Sequence, residues 1–139
     1  KAYASRDTVS LFTGEVSLSS DALKYFNKNP TSSKSVIFII ARDLSGNNMP
    51  VAVSKINLSI HSTLLDKNKA IKFQISDSDS ITKKRILSQF DSFHLHARLS
   101  YEGSVIPKIG DLFGDEILIK KGMGKINLSL SKVKGIDND

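Results

Sequence analysis

The sequence predicts an all-β protein, an antiparallel β-sandwich of about seven strands with one short helix. Seven or so short stretches are either continuously apolar or alternate with a period of two, and turn residues separate them at regular intervals. Only residues 20–26 look helical, because a capping serine, Ser20, precedes a run of helix formers. The chain of 139 residues is long enough to bury a core. A small open barrel is the alternative architecture.

The clearest element is a hairpin over residues 36–60. Residues 36–41 form a continuous apolar run rich in β-branched side chains, which predicts a central strand covered on both faces. Residues 43–48 are typical of a turn. The return strand is expected over residues 51–60, with Pro50 before it, where a missing N–H group is tolerated.

The remaining strands are predicted from alternation and turn signals. The strand over residues 90–100 is the second strong one, and a hairpin turn at 101–104 should follow it. Other strands are expected over residues 9–18, 69–75, 105–106, 116–120 and 125–132. We therefore expect a linker at 1–8, one sandwich domain at 9–134 and a tail at 135–139.

Alternation in the 90–100 strand predicts which side chains are buried. We expect its apolar face to belong to one core that also takes residues from the other strands, namely Phe38, Ile40, Val51, Val53, Leu95, Ala97, Leu99 and Leu128. The opposite face carries His94, His96 and Arg98, which should point away from that core. This exposed polar face is the candidate partner-binding surface, by side-chain contact or by strand addition at a sheet edge.

Composition excludes several classes of function. The net charge of +6 is concentrated around residues 83–85, without the interleaved aromatic residues of a single-strand nucleic-acid groove, so we expect no nucleic-acid partner. Cysteine is absent, so the chain performs no thiol chemistry. No apolar run is long enough to span a bilayer, and we expect any membrane anchor to lie outside these residues.

No constellation of residues predicts catalysis, a cofactor or a metal. His94 and His96 could bind a metal with His61, but no cysteine exists and no acidic residue stands beside the pair in the sequence. The carboxylates of residues 111, 115 and 116 are expected to be exposed in a turn, since nothing near them would separate their pKa values. No nucleophile with a base can be assembled.

Several short motifs nevertheless occur together in one order: Gly14-Glu-Val-Ser-Leu18, Val36-Ile-Phe-Ile-Ile-Ala-Arg42, Met49-Pro-Val-Ala-Val53, Asp77-Ser-Asp-Ser80, Leu87-Ser-Gln-Phe-Asp91, Ala97-Arg-Leu-Ser100 and Gly110-Asp-Leu-Phe-Gly-Asp-Glu116. This succession resembles the C-terminal periplasmic region of the CcmI/CycH family of cytochrome c maturation proteins, over residues 9–133. Members of that family carry a membrane anchor, helical repeats and then an immunoglobulin-like β-domain.

The resemblance implies an immunoglobulin-like sandwich that is not an enzyme and has no cofactor. It implies a periplasmic interaction domain that assists apocytochrome c binding and delivery to the haem ligation machinery. Its partners would be apocytochrome c and other cytochrome c maturation subunits, with membrane attachment only through an anchor outside these residues. The alternative is an accessory carbohydrate- or peptide-binding sandwich of a cell-envelope protein.

Overall fold

The computed structural model describes residues 12–45, 49–59, 65 and 67–135. The predicted linker at 1–8, the start of the first predicted strand, His61 and most of the tail lie outside these residues. The described part of the chain contains nine strands in two sheets, which confirms the predicted all-β, immunoglobulin-like sandwich.

The larger sheet has the strand order β3-β2-β5-β6-β9, and β7 also pairs with β5. Its pairings are antiparallel. The strands are β2 (Val36–Arg42), β3 (Ala52–Asn57), β5 (Ser92–Ser100), β6 (Leu112–Phe113), β7 (Ile117–Lys120) and β9 (Lys132–Val133).

The smaller sheet has the order β4-β1-β8. Its strands are β1 (Phe12–Leu18), β4 (Ile71–Ile75) and β8 (Ile126–Leu130). β1 pairs with β4 in the antiparallel sense, whereas its pairing with β8 is parallel. This parallel pair departs from the expectation of a wholly antiparallel sandwich.

The main core lies between the two sheets, because alternate side chains of each strand point inward. Fully buried residues of the larger sheet include Ile37 and Ile39 from β2 and Phe93, Leu95 and Leu99 from β5. The smaller sheet supplies inward-facing residues that include Val16, Ile71, Phe73, Leu128 and Leu130.

The short helix α1 spans Ser20–Lys28 and closes one part of this core. Ser19, rather than the expected Ser20, caps it, and the Ser19 hydroxyl accepts a hydrogen bond of 3.1 Å from the Ala22 N–H group. The helix buries Ala22 and Phe26 in the core. Both serines fit the sequence pattern of an N-cap. The end of the preceding strand decides between them.

One predicted strand end and one predicted strand are wrong. The return strand of the hairpin ends at Asn57, not at residue 60, and the Asn57 side chain accepts a hydrogen bond of 2.8 Å from the Ser59 N–H group. The strand predicted at residues 105–106 is part of a loop, and the next strand, β6, begins at Leu112. In the first case, apolar alternation continues past the true end of the strand; in the second, two apolar residues alone are too short to predict a strand.

Candidate functional site

The outer face of the larger sheet faces away from the main core and carries all three residues of the predicted polar surface. Across the β2–β5 pair, Arg42 lies opposite His94, Ile40 opposite His96, and Phe38 opposite Arg98. Apolar β2 side chains therefore stand beside the polar side chains of β5. The expectation that His94, His96 and Arg98 point away from the main core is confirmed.

Three of the residues expected in the main core lie on this outer face instead. Phe38, Ile40 and Val53 form a second apolar cluster with Val36, whereas Val51, Leu95, Ala97, Leu99 and Leu128 do belong to the main core. The continuous apolar run of β2 predicts burial on both faces, which the structure shows, but it contains no alternation that assigns each side chain to a face. The prediction of a single shared core was wrong for this reason.

Arg98 is buried rather than solvent-facing, with 8% of its side chain exposed. Its guanidinium donates to Asp111 Oδ2 at 2.9 Å and to the carbonyl oxygens of Ser104 and Val105 at 3.2 and 3.0 Å. It also lies 4.9 Å from the ring centroid of Phe38. The expectation of a fully exposed polar face is therefore wrong at this position.

The loop at residues 101–111 is what covers Arg98. Asp111, which we expected to be exposed, is 3% exposed, and its Oδ2 atom also accepts the Lys108 N–H group at 3.0 Å. The Gly110 carbonyl accepts the Tyr25 hydroxyl at 3.0 Å. These bonds fix the loop over the sheet, so Arg98 and Asp111 together determine the shape of this surface.

Glu116 lies close to both histidines, although the sequence placed no acid beside them. Its carboxylate oxygens are 3.9 Å from His94 Nδ1 and 3.6 Å from His96 Nδ1, and Arg42 Nε is 3.8 Å away. The pairing of β7 with β5 places Ile117 opposite Leu95, so the preceding residue, Glu116, lies near the two histidines. Within the described ranges, no group of three histidine or acidic side chains is arranged to hold a metal.

His96 lies in the floor of this surface with 16% of its side chain exposed. Burial lowers the pKa of His96 from its ordinary value of 6.5, opposed by Glu116 and reinforced by the nearby charges of Arg42 and Arg98. The imidazole is therefore neutral at pH 7. Among the described residues, its Nδ1 atom has no hydrogen-bond partner.

This lowered pKa predicts a pH dependence of folding. Because the unfolded chain binds the His96 proton more readily, the free energy of unfolding should be highest above about pH 6.5 and should fall as the pH drops below it. Urea titrations at pH 7.5 and pH 5.5, on the wild type and on His96→Gln, measure the effect. The variant should lose less stability between the two pH values. An equal loss in both proteins would contradict the assignment.

A groove of about 530 Å³ runs along this face. Its floor is formed by strand residues, among them Phe38, Ile40, Val53 and His96. Pro50 and Ile81 line it on the side of β3, since the Ile81 N–H group donates to the Val51 carbonyl at 3.0 Å. Val105 and Pro107 of the 101–111 loop line it on the side of β6. His94 is not among the groove residues, and lies beside it.

The sides of the groove present aliphatic side chains to solvent. Val105 is 76% exposed and Ile81 is 46% exposed. Exposed aliphatic side chains around an apolar floor are typical of a surface that binds another molecule. The alternation of β5 predicts His96 and Arg98 on this face, but no local pattern predicts the groove, because its residues come from six separate parts of the chain.

Comparisons with known proteins agree with this fold. The family model for the immunoglobulin-like domain of cytochrome c-type biogenesis protein H matches residues 13–130. Neither a curated protein nor a solved structure matches the chain. In the described part of the chain, no helix is long and apolar enough to cross a membrane. The chain therefore belongs to the family of immunoglobulin-like domains of cytochrome c-type biogenesis protein H, which assigns it a role in cytochrome c maturation.

Proposed function

We propose that this domain is a non-catalytic, periplasmic interaction domain that assists the binding of apocytochrome c and its delivery to the haem ligation machinery. Other cytochrome c maturation subunits would be its further partners. The main support for this proposal is the apolar groove on the outer face of the larger sheet, found in a domain of this family. Such a surface suits a protein chain that has not yet buried its own apolar residues.

The three residues that sequence analysis selected have different roles in this proposal. His96 lies in the floor of the groove and touches the bound chain. Arg98 acts through the 101–111 loop, because its hydrogen bonds hold Ser104 and Val105 beside the groove. His94, next to Glu116, lies at the margin and contacts only the part of a partner that extends beyond the groove.

The test is binding of apocytochrome c to the chain and to the double variant Ile81→Asp/Val105→Asp. Ile81 is about half exposed and Val105 is largely exposed, so their replacement should leave the fold intact. Loss of two apolar contacts and the burial of two carboxylates against an apolar partner should weaken binding by about tenfold or more. Isothermal titration calorimetry measures the dissociation constants.

Met123→Asp is the matched control, because Met123 is 45% exposed, as Ile81 is at 46%, and lies outside the groove. Its binding should equal that of the wild type. Unchanged binding by the double variant would move the contact to another surface. Failure of the wild-type chain to bind apocytochrome c at all would refute the proposal.

A further inference from the structure

The 101–111 loop exposes a cluster of aliphatic side chains that lies mostly outside the groove. Val105, Ile106 and Ile109 have the highest exposed fractions among the large apolar side chains of the described ranges, at 76%, 67% and 63%. Val105 borders the groove, whereas Ile106 and Ile109 do not line it. Ile109 instead lines a separate cavity of about 330 Å³ beside the end of α1. The loop tip, residues 105–109, therefore presents an apolar surface of its own to solvent.

Hydrogen bonds within the loop occupy backbone N–H groups of this tip. The Ile106 N–H group donates to the Ser104 hydroxyl at 3.1 Å, and the Lys108 N–H group donates to Asp111 Oδ2 at 3.0 Å. Pro107 has no N–H group. The apolar layer of a bilayer offers no hydrogen bonds to the backbone, so a segment enters it at lower cost when these groups are already bonded.

Lysines surround the loop tip. Lys108 lies within it, and its pair with Glu102 is long, at 3.9 Å between exposed side chains. Lys28 lines the cavity beside the tip, and the Lys34 backbone contacts the loop at Gly103. Lys28 and Lys34 are exposed and form no ion pair within the part of the chain that the structure describes. Lysines therefore outnumber the exposed acid here, which favours an anionic surface as the partner.

The composition of the tip favours a lipid surface over a folded protein. Protein interfaces draw most of their binding energy from tryptophan, tyrosine and arginine side chains, whereas leucine and valine are under-represented among such residues. The tip reads Val-Ile-Pro-Lys-Ile and contains none of those three types. Aliphatic side chains surrounded by lysines match the boundary between acyl chains and anionic headgroups. A lysine there buries its stem and keeps its ammonium group in water.

We propose that the loop tip inserts into the surface of a bilayer that contains anionic phospholipid. Ile106 and Ile109 would enter the apolar layer, and the surrounding lysines would lie among the headgroups. The buried pair of Arg98 and Asp111 would hold the tip in shape, because both residues bond to the loop backbone. Since Val105 belongs to the tip and to the groove, insertion would place the groove beside the lipid surface. This contact is additional to the proposed function.

Sedimentation with lipid vesicles tests the insertion. The chain should bind phosphatidylcholine vesicles that contain about one third phosphatidylglycerol, and should bind pure phosphatidylcholine vesicles about fivefold or more weakly. Ile106→Ser/Ile109→Ser should lower the partition coefficient on the mixed vesicles by about tenfold or more, because two aliphatic side chains no longer enter the apolar layer. Leu118→Ser/Met123→Ser is the matched control, since both residues are 45% exposed and lie outside the loop. It should bind as the wild type does.

A tryptophan at the tip reports insertion directly, because the chain contains none. The emission of Ile106→Trp should shift to shorter wavelength on the mixed vesicles, and lipids with brominated acyl chains should quench it. Leu118→Trp is the control and should show neither effect.

The role of the lysines has its own variants. Lys28→Gln/Lys34→Gln should weaken binding to the mixed vesicles by about fivefold or more. Lys55→Gln/Lys72→Gln changes the net charge equally at two exposed strand residues and should have a smaller effect.

The other outcomes overturn the proposal. They are the absence of wild-type binding to either vesicle, equal binding to both vesicles, or mixed-vesicle binding that survives Ile106→Ser/Ile109→Ser. If that variant instead loses affinity for apocytochrome c and vesicles bind nothing, the tip contacts a protein. Apocytochrome c binding to the groove is measured without vesicles, so the proposed function can fail or stand independently.

Discussion

Arg98→Ala is expected to lower the free energy of unfolding by about 3 kcal/mol or more. The substitution leaves the Asp111 carboxylate, whose side chain is 4% exposed, without its cation. It also removes the donor for the carbonyl oxygens of Ser104 and Val105, and the guanidinium that covers the Phe38 ring. The buried carboxylate loses its cation while two part-buried carbonyl groups lose their donor, and an unpaired buried charge carries the largest desolvation cost of these.

Urea unfolding followed by circular dichroism measures this loss. Arg42→Ala is the matched control, because the Arg42 side chain is 33% exposed and its pairing with Glu116 is long, at 3.8 Å. That change should cost less than about 1 kcal/mol, as for other surface ion pairs. Equal effects of the two substitutions would show that the buried pair is not what fixes the 101–111 loop.

Gly114→Ala should be comparably damaging, at about 3 kcal/mol, or should prevent folding. Gly114 lies between β6 and β7, and its N–H group donates to the Ala97 carbonyl at 3.1 Å. A Cβ atom at this position would overlap the carbonyl oxygen of Ser129 in β8. The obstacle is backbone of the opposite sheet, so no side-chain rotation can relieve it.

Gly124→Ala provides the comparison for this prediction. A Cβ atom on Gly124 would meet no atom within 4 Å. The free energy of unfolding of this variant should therefore lie within about 0.5 kcal/mol of the wild-type value. Midpoints of urea unfolding distinguish the two cases. A stable Gly114→Ala protein would mean that the two sheets can separate at this point without loss.

The sequence predicts the strands that have strong local patterns. The apolar run of β2 and the alternation of β5 identify the two central strands of the larger sheet, in which β2 pairs with two strands and β5 with three. The two-residue strands β6 and β9 were not predicted as they occur, because so short a pairing depends on distant partners rather than on local propensity. The same limit explains the strand wrongly expected at residues 105–106.

The candidate site was predictable only in part. Period-two alternation correctly grouped His94, His96 and Arg98 on one face. It could not show that Asp111, thirteen positions after Arg98, is the buried partner, or that Glu116 approaches both histidines through the β5–β7 register. The groove arises from long-range pairing, which determines which loops border the sheet.

The parallel pairing of β1 with β8 has a consequence for how the chain folds. Gly14 aligns with Ile126, so strands from opposite ends of the described sequence are neighbours in the smaller sheet. Contacts over roughly 110 positions require a large loop to close before they stabilise anything, which is typical of slow-folding β proteins. Until β8 joins, one edge of β1 lacks this neighbour and the core lacks Ile126, Leu128 and Leu130. A chain emerging with its N-terminus first therefore has to remain incompletely folded until residue 130 is available.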